Sequence, residues 1–577
     1  MMNVKPVKHP EFTTIAGAAL LAMVCVLTLA GLTACGPSSA GADGGGERRT
    51  VAPSIHDYVS AGTGKPGGTL RVSIAADVST LDLQSALALS GSWFGRILYD
   101  NLVYLDDKGN ITPWLAKSWT ISADGKTYTF RLREDVTFSD GTRFDAQAVL
   151  DNFTRIRDPA TKSPLATAYI EPYIGGRVID EFTFEATLRE PYSPFLYVLA
   201  QSPLGFISPK AIRERPKTLG EAPVTTGPYV VEQFARQQKI IFVRRTDYNW
   251  APDFIQHKGP AYIERIEVDI IPEAISRYGS LVSGQFDITL DAPPQNAAGL
   301  RSDPAITLTS RILQGNPMRA PVINTQRAPF DDLRIRKAYA YAIDREAITQ
   351  MVGFGEYTPK TDFLASNTPY YDPSFKDVLH YDLAKANALL DEAGWTGRDA
   401  AGYRTKDGKR LTAEILLTQS GAPNLVVVEV QSSLKKIGFE LTISQMPNEQ
   451  RLVHRDAGTY QVMGNYAWHT NTPDALYIVY HTNQIISDKL IGANLSRLSD
   501  PELDELLSAA RRSTDPAVLK DLYSKAQRRL VEIVPSVPLF ENHNIIAYRK
   551  RLKGVIYDTS HNRPVFTSAW LDEEGSL

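Results

Sequence analysis

Few residues in this chain of 577 are spaced for covalent chemistry. Its two thiols, Cys25 and Cys35, both fall within the first 35 residues. Two cysteines cannot build a disulfide scaffold or a Cys-rich zinc site. The nine histidines are scattered. His469 and His481 stand twelve apart with no carboxylate at metal-ligand spacing, so packing or surface roles are expected and no metal site is. Gly62-Thr63-Gly64-Lys65 is followed by Pro66 and does not form a phosphate loop. No Gly-x-Ser-x-Gly elbow and no His-Glu-x-x-His helix occurs. Carboxylates abound, and spacing alone does not show whether two converge as a bond-cleaving pair, so an exported hydrolase stays open as an alternative. With 62 basic and 65 acidic residues the net charge is -3, which gives no electrostatic case for nucleic acid.

The chemistry the cysteines do support is lipidation. Lys5 and Lys8 form a basic start, and residues 13–34 carry no charge. An apolar run behind a basic start reads as an export signal. The run ends at Leu32-Thr33-Ala34-Cys35, which resembles a bacterial lipobox: small side chains before the cut, and a thiol to receive diacylglycerol. A membrane-spanning helix is the competing reading, since about 18 apolar residues nearly cross a bilayer. On the lipobox reading residues 1–34 are a signal peptide and Cys25 is lost with it. Residues 35–68 are then the lipidated Cys35 and a flexible tether, whose Gly36 to Gly46 stretch is small and loose. The body would then hold no free thiol.

Its elements read as mixed α/β. Thr69 to Ala75, Tyr128 to Leu132, Phe182 to Leu188, Ile240 to Val243 and Arg265 to Ile271 alternate as strands do. Ser92 to Leu105 has helical spacing, and Phe144 to Ile156 reads as an amphipathic helix. Asp331 or Asp332, Asp382, Ser499 and Asp515 are helix-cap candidates. Glu414 to Leu417 and Glu440 to Ile443 flank a helix Asn424 to Ile437, a βαβ-like unit.

A succession of segments resembles the peptide/nickel class, family 5, of the extracellular solute-binding proteins of ABC transporters. In order they are Gly67 to Val72 with Thr80-Leu81-Asp82, Ile97 to Leu102, Pro113 to Trp119, Asp124 to Phe130, and Phe138 to Gly141. Thr226-Gly227-Pro228-Tyr229, Asp247-Tyr248-Asn249-Trp250, Pro329 to Ala338 with Ala342 to Arg345, and Tyr381 to Trp395 continue the series. The resemblance implies an α/β, two-lobed periplasmic-binding-protein-like fold (class II, cluster C type) with an extra subdomain in lobe one. Lobe one would be 69–315 plus 541–577, with the subdomain at about 83–225, and lobe two would be 316–540. It implies no enzyme and no cofactor. The partners would be an ABC permease and ATPase, a small-molecule or peptide ligand, and the membrane through Cys35, with the protein a monomer. A sensor on the same fold is the alternative. Pro228 and Asp332 belong to the motifs and read as structural.

The resemblance also points to ligand contacts. Peptide-binding members carry a Trp followed three residues later by an Asp that pairs with the peptide ammonium. Trp468 matches that Trp, but position 471 is Asn. An amide lacks the charge to hold a desolvated ammonium. The departure favours a neutral or differently charged ligand, such as a glycoside, a modified peptide or a chelate. Trp468 would stack on the ligand or pack in lobe two. His469 would face the cleft or solvent, and Tyr466 and Trp93 would reach the cleft or the core. Asn324 would donate across the hinge or hold a turn, and Asp474 would be a turn residue or support the site from behind.

Overall fold

The computed structural model describes residues 64–86, 93–106, 109–255, 257–419, 424–487, 492–541, 543–558 and 563–572. Cys25, the lipobox with Cys35 and the tether up to residue 63 lie outside the described residues.

Alternating apolar residues make the first sheet. Leu70, Val72 and Ile74 are buried and pair in parallel with Ile266, Val268 and Ile270. The sheet has seven strands, in the order Ile306–Ile312, His543–Arg549, Ile288–Thr289, Thr69–Ile74, Arg265–Ile270, Lys239–Arg244 and Tyr229–Ala235. Thr69–Ile74 runs parallel to both of its neighbours, while His543–Arg549 runs antiparallel to Ile288–Thr289 and to Ile306–Ile312. The carboxyl ends of Thr69–Ile74, Ile288–Thr289 and Ile306–Ile312 therefore point the same way.

An antiparallel four-stranded sheet, whose Tyr128, Phe130, Tyr173 and Phe184 share an apolar core with the first sheet's Leu70 and Val72, is ordered Ala116–Ile121, Thr127–Leu132, Thr183–Leu188 and Tyr173–Asp180. The helix Ala146–Arg157 covers it, with the Phe153 ring 4.9 Å from that of Tyr173 and 5.7 Å from that of Phe184. The remaining four-stranded sheet is ordered Gly315–Ile323, Val462–His469, Thr412–Thr418 and Glu440–Met446. Its last two strands are parallel and joined by Leu425–Lys436, so the expected βαβ unit is present.

Two large apolar cores result. One draws on Leu70 to Leu290 and then on Ile546 to Ala569. The other runs from Ile323 to Phe540. The chain leaves the first sheet after Ile312 and returns to it at His543, and these two residues pair across the ladder. Both crossings therefore lie side by side, at the carboxyl ends of the parallel strands. Gly315 sits at the first crossing with φ +108°, and a Cβ there would come within 2.5 Å of the Trp468 carbonyl oxygen. Only glycine meets both conditions without strain.

Several local expectations need correction. Ser92 to Leu105 is not one helix: among the described residues only Gly95–Leu98 is α-helical, and Val103–Leu105 is a strand. The polar pair between them overrides the periodicity. Asp100 accepts from Trp250 Nε1 at 2.9 Å, and Asn101 Nδ2 donates to the Leu199 and Gln201 carbonyls. Asp500, not Ser499, caps Pro501–Arg512, accepting from the Leu503 amide at 2.9 Å. Proline at the first helical position puts the cap immediately before it. Asp145 likewise caps Ala146–Arg157, so Phe144 lies before the helix. Asp332, Asp382 and Asp515 cap the helices that follow them.

Candidate functional site

The segment 464–474 follows the strand Val462–His469, neighbour of Gly315–Ile323 and Thr412–Thr418, out to the junction between the cores. Trp468 packs against both of them. Its ring meets Tyr169 of the first lobe edge to face, with centroids 6.3 Å apart at 81°. The Tyr169 hydroxyl donates to the His469 carbonyl at 3.3 Å. Trp468 thus neither packs in one lobe alone nor stands in solvent. Its indole Nε1 is buried and has no hydrogen-bond partner. A buried N–H without an acceptor costs about 1–3 kcal/mol.

Beyond Thr470 the strand gives way to a turn that stays buried. Asn471 is fully buried, and its Nδ2 donates across the lobes to the Tyr197 carbonyl at 3.1 Å. Its Oδ1 is left without a partner, as is the hydroxyl of buried Thr472. Three buried polar atoms on one short segment, at the junction of two lobes, are what a polar ligand would satisfy.

Asp474 anchors this segment from behind. Arg511 donates to it through Nε at 2.6 Å and Nη2 at 2.8 Å, and the Tyr192 hydroxyl of the other lobe donates at 3.1 Å. All three side chains are buried. Burial alone would lower the Arg511 pKa, and the Asp474 carboxylate more than reverses that. Burial, with the Asp474 charge, holds the Tyr192 phenol well above its ordinary value, so it stays a donor. Arg511 also lies 3.3 Å from the Tyr477 ring centroid. Nearby, the Ser193 amide donates to the Arg511 carbonyl at 2.8 Å. A further link joins Arg301 to Glu356 by two bonds of 2.8 Å. Side chains of the two cores are therefore in direct contact at this junction.

The other sequence candidates scatter. Asn324 is fully buried, and its Nδ2 donates to the Gly458 and Tyr460 carbonyls while its Oδ1 accepts from the Gln326 amide. These bonds hold a turn within the second lobe and do not cross the hinge. His469 is half-buried beside Trp468. The side chain of Tyr466 lies outside the described residues. Trp93 is half-buried against the first core, with the Arg563 guanidinium 3.2 Å from its ring centroid. Sequence reading did not single out Tyr169, Tyr192, Tyr197, Arg511 or Arg563. Each meets its partner only in the fold, and no spacing signal marks them.

Among the described residues no three His, Cys, Asp or Glu side chains are grouped to hold a metal ion. No helix among them is long and apolar enough to cross a membrane.

Residues 110–485 match the family model described as bacterial extracellular solute-binding proteins, family 5 Middle. The nickel-binding periplasmic protein of Escherichia coli K12 is 27% identical over 471 residues, covering 80% of this chain and 87% of that protein. The glutathione-binding protein GsiB of the same strain is 28% identical over 494 residues, covering 84% and 91%. Among solved structures, NikA of Brucella suis in complex with Fe(III)-EDTA superposes with a TM-score of 0.75 at 25% identity, covering 87% of this chain and 100% of that one.

Proposed function

The chain belongs to the bacterial extracellular solute-binding proteins of family 5, and from that membership together with the lipobox-like run ending at Cys35 we propose that it is the lipid-anchored receptor subunit of an ABC importer. Members of this family bind solutes and are not enzymes. In our reading residues 69–315 and 541–577 form lobe one, with an inserted subdomain at about 83–225, and residues 316–540 form lobe two. The ligand, a peptide-like or other polar solute, sits between them. Contacts to both lobes favour the closed state, and the permease recognises that state. Diacylglycerol on Cys35 and the tether to residue 68 keep the monomer at the extracytoplasmic face of the membrane.

The observation that carries this reading is the junction segment. Trp468 touches both cores, and beside it the indole N–H, the Asn471 carbonyl and the Thr472 hydroxyl are buried without partners. A polar solute in the cleft supplies those bonds, whereas a purely structural junction would leave their desolvation uncompensated. Asn471 in place of an acid suits a ligand that does not present a lone ammonium there.

Native mass spectrometry of the full chain purified from a bacterial host tests the reading. A retained small molecule, lost on Trp468→Ala, is the expected result. A chain that retains nothing and binds no member of a peptide, sugar-acid and chelate panel would refute it. Radiolabelled palmitate incorporated by the wild type and absent from Cys35→Ala tests the anchor.

A further inference from the structure

Arg563 begins the strand Arg563–Val565, paired in register with Asp558 on Ile556–Asp558. Only 8% of it is exposed. Its Nε and Nη1 are buried and have no hydrogen-bond partner. The guanidinium lies face-on over Trp93, 3.2 Å from the ring centroid. Two carboxylates are near enough to act on its charge, those of Asp291 and Asp558, but neither bonds to it. Both are engaged elsewhere: Asp291 accepts from the Ala75 amide at 3.1 Å, and Asp558 accepts from Arg96 Nε at 3.0 Å. Burial depresses the Arg563 pKa to about 9 despite those two charges. Other buried arginines are treated differently. Arg345 donates to four carbonyls and Arg511 to a carboxylate. Burying a cation without bonds is costly, and such groups persist where something else supplies the partner.

The position fits a ligand. Ala75 immediately follows the carboxyl end of Thr69–Ile74, and Asp291 lies just past Ile288–Thr289. Tyr557, beside the Asp558 that pairs with Arg563, bonds to Thr309 Oγ1 at 2.9 Å and holds the Arg311 guanidinium 4.8 Å from its ring centroid, so this strand pair lies beside the carboxyl end of Ile306–Ile312, the edge where open α/β sheets bind ligands. That edge is also where the chain crosses to the second lobe, at Ile312 and His543.

We propose that Arg563, oriented by Trp93, receives an anionic group of the solute, a carboxylate or its equivalent. A planar guanidinium fixed by an aromatic face presents its N–H fork to two oxygens at once. Together with the uncharged Asn471, this makes the ligand class acidic: a peptide acid, a sugar or amino-acid conjugate acid, or a carboxylate chelate. The inference rests on the solute-binding reading above.

The test uses the full chain and matched probe pairs: glutathione with its diamide, Ser-Thr-Ser-Ala with its C-terminal amide, and citrate with its triamide, together with any molecule the chain retains on purification. Calorimetry should show at least one acid bound at least about tenfold more tightly than its amide. Arg563→Gln should erase that preference. Arg563→Lys, which keeps the charge and loses the fork, should retain part of it. Ligand-free Arg563→Gln should melt no lower than the wild type, since it removes an unpaired buried charge. An amide bound as tightly as its acid, a preference that survives Arg563→Gln, or a retained molecule with no anionic group would overturn the assignment while leaving solute binding intact. A markedly lower melting temperature for Arg563→Gln would make the arginine structural and also overturn it. No binding by any probe and no retained molecule would refute solute binding, and this inference with it.

Discussion

Replacing Tyr192 by Phe removes one cross-lobe hydrogen bond and little else. The phenol donates to Asp474 Oδ2 at 3.1 Å. Asp474 keeps both bonds from Arg511, at 2.6 and 2.8 Å, so no buried charge is left unpaired. The phenyl ring keeps its place 5.1 Å from the Arg511 guanidinium carbon. Hydrogen bonds to charged groups contribute about 1.5–3 kcal/mol net. On the proposed closing mechanism the bond joins the lobes only in the closed state, so its loss lowers the closed-to-open ratio by about 10- to 160-fold. Where closure limits binding, apparent affinity falls by the same factor. Small-angle scattering of Tyr192→Phe with and without the retained ligand should show a larger ligand-free radius of gyration, and calorimetry the weaker binding. Asp474→Asn provides the contrast. It leaves Arg511 buried beside a neutral amide and should cost about 3–5 kcal/mol of stability as well. Scattering and affinity that match the wild type in Tyr192→Phe would refute the idea that this contact holds the lobes together.

Three further outcomes follow from single sites. Asn471→Asp places a carboxylate against the Tyr197 carbonyl that Nδ2 now donates to, so it should weaken the retained ligand at least about tenfold instead of creating an ammonium site; calorimetry with peptides of free and acetylated N-terminus checks this. His543, near the lobe crossing, bonds to Ser310 Oγ at 3.0 Å and to Thr358 Oγ1 at 3.4 Å. Burial lowers its pKa to about 4, against the opposing charges of Glu541 and Glu356. The fold therefore prefers the neutral ring, and this contribution is complete above the unfolded value of about 6.5 and lost as pH falls toward 4. Urea unfolding should show the wild type losing about 2 kcal/mol more than His543→Gln between pH 7 and 5. Arg345→Met leaves the Pro538, Ala340, Ile343 and Leu379 carbonyls without their shared donor, so it should cost about 2–4 kcal/mol by denaturant titration.

What could be read from sequence was local or carried by motif. Asp382 and Asp515 announce their helices because a cap acts on amides two or three residues away. The βαβ unit at 414–443 was legible because each element buries a face that its own periodicity displays. Trp468 and Asn471 could be singled out because the family spacing runs within four residues. The motif at Thr226 to Tyr229 proved to be packing: a Cβ on Gly227 would lie 2.3 Å from the Leu98 carbonyl. Ser92 to Leu105 departs from its helical spacing because that spacing coincides with residues whose partners, Leu199, Gln201 and Trp250, are 98 to 150 positions away.

The amino-acid sequence by itself determined the class of the protein: its elements, its caps and the ordered family segments. The tertiary structure decided what the site is made of. Tyr169 meets Trp468 across about 300 residues, Tyr192 meets Asp474 across 282, and Arg563 meets Trp93 from the other end of the chain. Contacts that distant follow from how two cores close on each other. Whether a buried polar atom finds a partner or is left for a ligand is a property of that closure, not of any stretch of sequence.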